Sequence, residues 1–321
     1  MKNILLTGVL FLSASVFAGD VYFFSYFSNK SYGGRRGESA GLHLAYSRDG
    51  KKWQALNDDK PLLVPQVSAD KLMRDPSICR GPDGTYHMVW TTSWKNGEIG
   101  YSSSKDLIHW TTQRAIPVMK HEPTVRNCWA PEVTYNDEDG LFYIYWASTI
   151  PGRHSPIPDM DKKERGLNHR MYLTTTKDWK TFSKARLWFD PGFSVIDAAA
   201  IRTPKGDEWL MVVKNENHTP PEKNLRLTRT KHLAEGFPTK VTPSISPSWV
   251  EGPSPLVVGK DLYIYFDEYT RHRYGGLVSH DNGLTWKNVS DEISFPRDTR
   301  HGTAFRGDEE ILKGLLKLTE K

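Results

Sequence analysis

An all-β fold, a five-bladed β-propeller closed by pairing of its N- and C-terminal strands, is what this 321-residue sequence predicts. Three observations carry the prediction. A strand of alternating aromatic and aliphatic residues recurs five times, as VYFFSYF (21–27), YHMVWTTS (86–93), FYIYWAST (142–149), WLMVVKN (209–215) and LYIYFDE (262–268). Each is followed by a second strand ending in a polar turn and an aromatic, at Trp53, Trp110, Phe182, Phe237 and Trp286, spaced 57, 72, 55 and 49 residues apart. A period near fifty with several short strands per copy marks a propeller, whose blades bury their faces against their neighbours. Finally, the chain ends on RHGTAFRG (300–307), the strand type missing from its first copy. The termini can therefore share one blade and leave no free edge. A two-sheet sandwich explains the strands but not their fivefold order.

Residues 1–18, MKNILLTGVLFLSASVFA, read as a cleaved secretory leader: a lysine, an apolar run too short to span a bilayer, and a small-residue end. The expected location is periplasmic or secreted. Residues 19–321 then form one propeller domain, since no Ser/Gly/Pro-rich linker interrupts the repeats. The long interval holds IPGRHSPIPDMDKKERGLNHR (150–170), a polar loop insertion. Losing the leader removes only Lys2, taking the net charge from +5 to +4. No basic block interleaves with aromatics, so nucleic acid is not an expected partner, nor is a membrane span. Cys79 and Cys128 fall about five residues out of register on neighbouring strands, roughly 17 Å along the channel. That is too far for a disulfide, so both read as free, buried thiols.

In a propeller the innermost strands ring a central channel. Here they open as RDPSIC (74–79), WAPEVTY (129–135), IDAAAI (196–201), VEGPSPLVV (250–258) and RHGTAF (300–305), bringing Asp75, Glu132, Asp197, Glu251 and His301 to one mouth. Carboxylates crowded into a small, poorly hydrated cavity repel one another, and their pKa values spread apart. Glycoside hydrolysis uses that spread: one carboxyl protonates the leaving oxygen and another, ionised, works opposite it. Turn-capping acids or a calcium cage are the plainer reading of the same positions.

At these residues the sequence resembles glycoside hydrolase family 43, five-bladed propeller enzymes of the arabinofuranosidase and xylosidase kind. The pieces RDPSIC, WAPEV, VIDAAAI, EGPSPLVV and HGTAF occur in family order across nearly the whole mature chain. The resemblance implies an inverting hydrolase of O-glycosyl bonds, with Asp75 as the base activating water, Asp197 as the pKa modulator and Glu251 as the general acid. Where the family usually shows WAPD this chain has WAPE, so Glu132 carries its carboxylate about one bond further out and is expected to shape the sugar pocket. The family's channel histidine implies a water-mediated role for His301 at a structural calcium or sodium ion, which the chemistry itself does not require; a hydrogen-bonded core histidine is the competing reading.

Among the aromatics, Trp129 is the best candidate for stacking on sugar, while Trp90 and Trp146 read as inter-blade core. Arg271 and Arg273 are expected to hold the acid or a sugar hydroxyl. SHDNGLTW (279–286) reads as a structural hairpin turn. The expected function is an exo-acting α-L-arabinofuranosidase on plant polysaccharide side chains, because loops 28–41 and 150–170 are long enough to close the channel mouth into a pocket. A β-xylosidase or galactofuranosidase would use the same residues. A non-catalytic carbohydrate-binding propeller is the alternative of another class.

Overall fold

The computed structural model describes residues 20–319; the leader read at 1–18 lies outside them. Among the described residues, nineteen strands form five sheets. Blade I joins the last strand, Thr299–Gly307, to the first, Val21–Ser28, and then to His43–Ser47 and Gln54–Ala55. Blades II, III and V run outward from Arg74–Arg80, Trp129–Asn136 and Glu251–Val258, four strands each. Blade IV has three, starting at Val195–Arg202. Neighbouring innermost strands touch all the way round, so the ring is closed.

The recurring aromatic strands are the second strands of the blades. All eight residues of Val21–Ser28 and all seven of Trp209–Asn215 are buried. A strand covered on both faces by neighbouring blades has no solvent side, which is why these segments lack a polar alternation. Closure of blade I is an antiparallel ladder pairing Val21 with Gly307 and Ser28 with Thr299.

Between the third and fourth strands the polar turns repeat one device. Asp49, Asp106, Asp178 and Asp281 each accept backbone N–H bonds from residues two to four positions on, at 2.7–3.1 Å. SHDNGLTW is thus one of four such turns and serves as structure. The C-terminal helix Glu309–Leu316 was not foreseen. Asp308 caps it by accepting the Ile311 N–H at 3.0 Å, and Leu312 and Leu315 pack into the core between blades I and II. Both cysteines are free, as expected; Cys128 is fully buried and Cys79 partly exposed.

Closure depends on a close backbone approach. A Cβ on Gly302 would lie 1.8 Å from the Ser25 carbonyl oxygen. Gly302→Ala should therefore strain the ladder between the terminal strands and cost about 1–3 kcal/mol, read as a lowered denaturation midpoint. A variant as stable as the parent would show that the closing ladder is not as tight as described.

Candidate active site

Each innermost strand carries the same irregularity near its start: two of its residues oppose one residue of the second strand. The pairs are Asp75 and Pro76, Ala130 and Pro131, Asp197 and Ala198, Gly252 and Pro253, and His301 with Gly302. Opposite them stand Trp90, Trp146, Val213, Phe266 and Tyr26, all fully buried. A bulge of this kind re-aims a side chain that a regular pleat would point elsewhere. Four of the bulged residues adopt left-handed backbone: Asp75 (φ 53°), Ala130 (46°), Asp197 (52°) and Gly252 (58°). Such conformations cost of order 1–3 kcal/mol for residues other than glycine, least for aspartate.

Bulge register defines successive rungs of the channel. The outermost holds Arg74, Trp129, Ile196, Glu251 and Arg300; the next holds Asp75, Ala130, Asp197, Gly252 and His301. The predicted trio therefore meets at one mouth. His301 Nδ1 lies 3.3 Å from Asp75 and 4.0 Å from Asp197. Asp75 accepts the Thr91 hydroxyl at 2.8 Å, and Asp197 accepts the Gly252 N–H at 3.0 Å. His301 seats over Gly252, where a Cβ would come within 2.5 Å of the imidazole.

Glu132 is not at this mouth. It sits two residues deeper, level with Ser77 and Thr303, whose hydroxyls donate to it at 2.6 and 2.9 Å. Its carboxylate faces a cavity of about 580 Å³ at the opposite end of the channel. The sequence grouped it with Asp75 and Asp197 at the mouth; the register sets it two residues deeper, within electrostatic reach of His301 and Asp197. WAPE aligns by its tryptophan, not its acid, with the head of the bulge.

The arginines expected near Glu251 go elsewhere: Arg273 pairs with Glu268 at 2.6 Å and with Asp291, and Arg271 lies 3.6 Å from Glu268. Glu251 is held instead by Arg300 at 2.8 Å and Lys214 at 3.3 Å. Sequence reasoning missed both. Their signals were a lysine inside the apolar run WLMVVKN and an arginine directly before His301. Each cation has a second carboxylate, Asp267 for Arg300 at 2.6 Å and Glu216 for Lys214 at 2.8 Å. From Glu216 the alternation continues through Lys223 (2.7 Å) to Glu164 (3.3 Å) in the 150–170 insertion.

Burial alone would raise Glu251, but Lys214, Arg300, Arg74 and His301 outweigh it and hold the carboxyl down at about 2. Burial pushes Asp197 up to about 6, with Glu251 and Asp75 adding to the rise against His301 and Lys214. Burial likewise pushes Glu132 up to about 7, against the two hydroxyls and His301. His301, despite its burial, is held toward imidazolium by Asp75, Asp197, Glu251 and Glu132. Burial thus favours the protonated form of Asp197 while the cations favour the carboxylate of Glu251, the reverse of the order expected for an acid at Glu251.

Trp129 stands on the same rung as Glu251, half-buried, its ring 5.6 Å from Trp94 and 5.0 Å from His169. Trp90 and Trp146 are core. Among the described residues no group of three or more His, Cys, Asp or Glu side chains converges to hold a metal. The His301 ring faces Asp75 and Asp197.

A closed five-bladed propeller that gathers buried carboxylates at one axial mouth has the architecture of the propeller glycoside hydrolases. The chain belongs to a family related to glycoside hydrolase family 43: residues 18–306 match its model, described as a probable glycosyl hydrolase domain. It is 22% identical over 261 residues to an α-L-arabinofuranosidase of Bifidobacterium longum subsp. longum, covering 70% of this chain and 24% of that protein. The chain thus spans about a quarter of that relative's length. Similar solved structures include a thermostable family-43 glycoside hydrolase (TM-score 0.55, 16% identity, 71% of this chain and 78% of that one). Another is an exo-β-1,3-galactanase from Clostridium thermocellum (0.53, 15%, 68% and 48%). A third is an α-L-arabinofuranosidase from Lactobacillus brevis (0.50, 17%, 68% and 72%). At these identities the likeness establishes the fold.

The raised pKa of Glu132 has a consequence for stability. Its folded value, about 7, lies above the unfolded value near 4.5. The folded state therefore binds more protons across that window, and stability falls as pH rises from about 4.5 to 7. Glu132→Gln should flatten this slope and gain up to about 3 kcal/mol over the parent at pH 8, measured by denaturant unfolding at several pH values. An unchanged slope would mean the carboxyl is ionised in the folded protein.

Proposed function

We propose that this chain is an inverting, exo-acting glycoside hydrolase, an α-L-arabinofuranosidase removing side chains from plant polysaccharides in the periplasm or outside the cell. The observation that carries the reading is the meeting of Asp75, Asp197 and Glu251 at one buried mouth, where His301 lies 3.3 Å from Asp75 and 4.0 Å from Asp197 and Arg300 holds Glu251 at 2.8 Å. Two loops support an exo mode by standing beside that mouth. Glu38 of the first pairs with Arg74 at 3.1 Å, and Glu164 of the insertion is tied to Lys223. The name of the Bifidobacterium relative supports arabinofuranose as the sugar. A β-xylosidase or galactofuranosidase fits the same carboxylates, because ring-size differences are worth only ~1–3 kcal/mol in a pocket.

In this reading Asp75 is the base. Its carboxylate is oriented by Thr91 and His301 and takes a proton from the attacking water. Glu251 is the acid that protonates the leaving oxygen, and Asp197 sets its charge environment. Glu251 reaches the protonated state only if its cations turn to their second partners, Asp267 and Glu216, as the sugar displaces water. A second reading makes Asp197 the donor: burial already pushes its carboxyl up to about 6, into the range where a proton donor works well.

Leaving-group dependence separates the two. Removing the acid should cost 10²–10⁴-fold on 4-nitrophenyl glycosides and far less on dinitrophenyl ones, which need no proton. We expect that pattern for Glu251→Gln. Finding it for Asp197→Asn instead would move the acid to Asp197. Inversion is read from the first product's anomer by NMR, and retention would contradict Asp75 as a base acting on water. A parent protein that binds sugars but turns over no furanoside or pyranoside would make the chain a non-catalytic binding propeller.

A further inference from the structure

Beside the catalytic mouth lies a cleft of about 400 Å³ lined by Trp94, Lys95, Arg126, Trp129, Arg165 and Leu167. It adjoins the axial site through two side chains of the outermost rung. Trp129 forms one wall, and the Arg74 guanidinium lies 4.4 Å from the Trp94 ring. The two indoles meet edge to face at 88°, and the Trp129 Nε1–H donates to the Trp94 carbonyl at 3.2 Å. Trp94 is nonetheless 39% exposed, the most open tryptophan among the described residues. Fixed, exposed aromatics bordering a polar site suit the apolar face of a sugar ring.

The cleft is densely cationic. Three of its six lining residues are cations and none is an acid. Nearby arginines of the same region are neutralised, Arg153 by Glu122 at 2.9 Å and Arg170 by Asp190. Lys95, Arg126 and Arg165 make no ion pair with a described residue. Two acids border the cleft without pairing to these cations: Glu38 accepts the Trp94 indole N–H at 3.4 Å, and Asp161 shares with Arg126 the space beside Gly166, each 3.9 Å from where a Cβ would stand. The main chain is anchored at both arginines, whose side chains are exposed on the cleft. The Arg126 N–H donates to the Thr149 carbonyl at 2.9 Å, and Arg165 follows Glu164, which Lys223 anchors at 3.3 Å. Two guanidinium groups beside stacking surfaces match an anionic sugar, because their donor forks fit carboxylate and sulfate oxygens.

We infer that this cleft is a subsite for a negatively charged sugar, a uronic acid or a sulfated residue, adjoining the sugar that is cleaved. The inference rests on the exo reading above: the terminal sugar fills the axial pit, and the remainder of the substrate must leave across the rim where the cleft opens. It names the substrate class as a charged polysaccharide rather than a neutral one.

The test is a binding measurement that does not need turnover. A neutral pentose oligosaccharide, its uronic-acid-bearing counterpart and a sulfated counterpart are titrated calorimetrically into the Glu251→Gln protein. A charged ligand should bind roughly tenfold tighter than the neutral one at low salt, and the preference should shrink as salt screens it. Whichever charged ligand shows it identifies the anion. In the Arg126→Met/Arg165→Met background, and more weakly in Lys95→Gln, the ratio of affinities should fall toward one. Equal affinity for neutral and charged ligands, or a preference that survives loss of both arginines, would overturn the inference. A charged-sugar preference in a protein whose parent hydrolyses nothing would sink the hydrolase reading and leave the subsite standing.

Discussion

The two-against-one bulge at the head of every innermost strand is the constraint on which the site depends. In a regular pleat, successive side chains alternate between the two faces of a blade. The bulge breaks that alternation at one level of the channel and turns Asp75, Asp197 and His301 toward a common point. Left-handed backbone at Asp75 and Asp197 is the cost, and aspartate bears it better than most residues. Large side chains such as Trp90, Trp146 and Phe266 fill the space opposite. The core of the blades and the geometry of the mouth are thus one arrangement.

What the bulges bring together, two neighbouring cations make electrically tolerable. Buried carboxylates without partners would neutralise themselves by taking up protons. Lys214 and Arg300 prevent this at Glu251, whereas Asp197 has only weaker compensation from His301 and Lys214. Because Lys214 also holds Glu216, and Glu216 holds Lys223, the charge of the mouth is continuous with the insertion at Glu164. The loop that borders the pocket and the carboxyl nearest the rim therefore share one chain of alternating charges.

The fold was legible because its signals are local and repeated. Five aromatic strands, the Asp turns and the acid-bearing strand heads each lie within a dozen residues, so their period shows in the sequence. The trio at the mouth was legible for the same reason. The exact rung of each acid was not: Glu132 falls two residues past the bulge head, and only the register shows that it faces the far cavity. Nor were the partners of Glu251, since Lys214 and Arg300 come from blades IV and I while the nearer arginines turn to Glu268. The terminal helix escaped notice because eight residues with a glycine inside give too little periodicity to stand out.

The central claim is that the repeated bulge makes one axial sugar site out of Asp75, Asp197 and Glu251. A crystal structure of the protein soaked with free pentose tests it most directly. The account predicts a single sugar seated over His301, within hydrogen-bonding reach of all three carboxyl groups. A sugar bound only in the far cavity beside Glu132, or touching no more than one of the three, would contradict it.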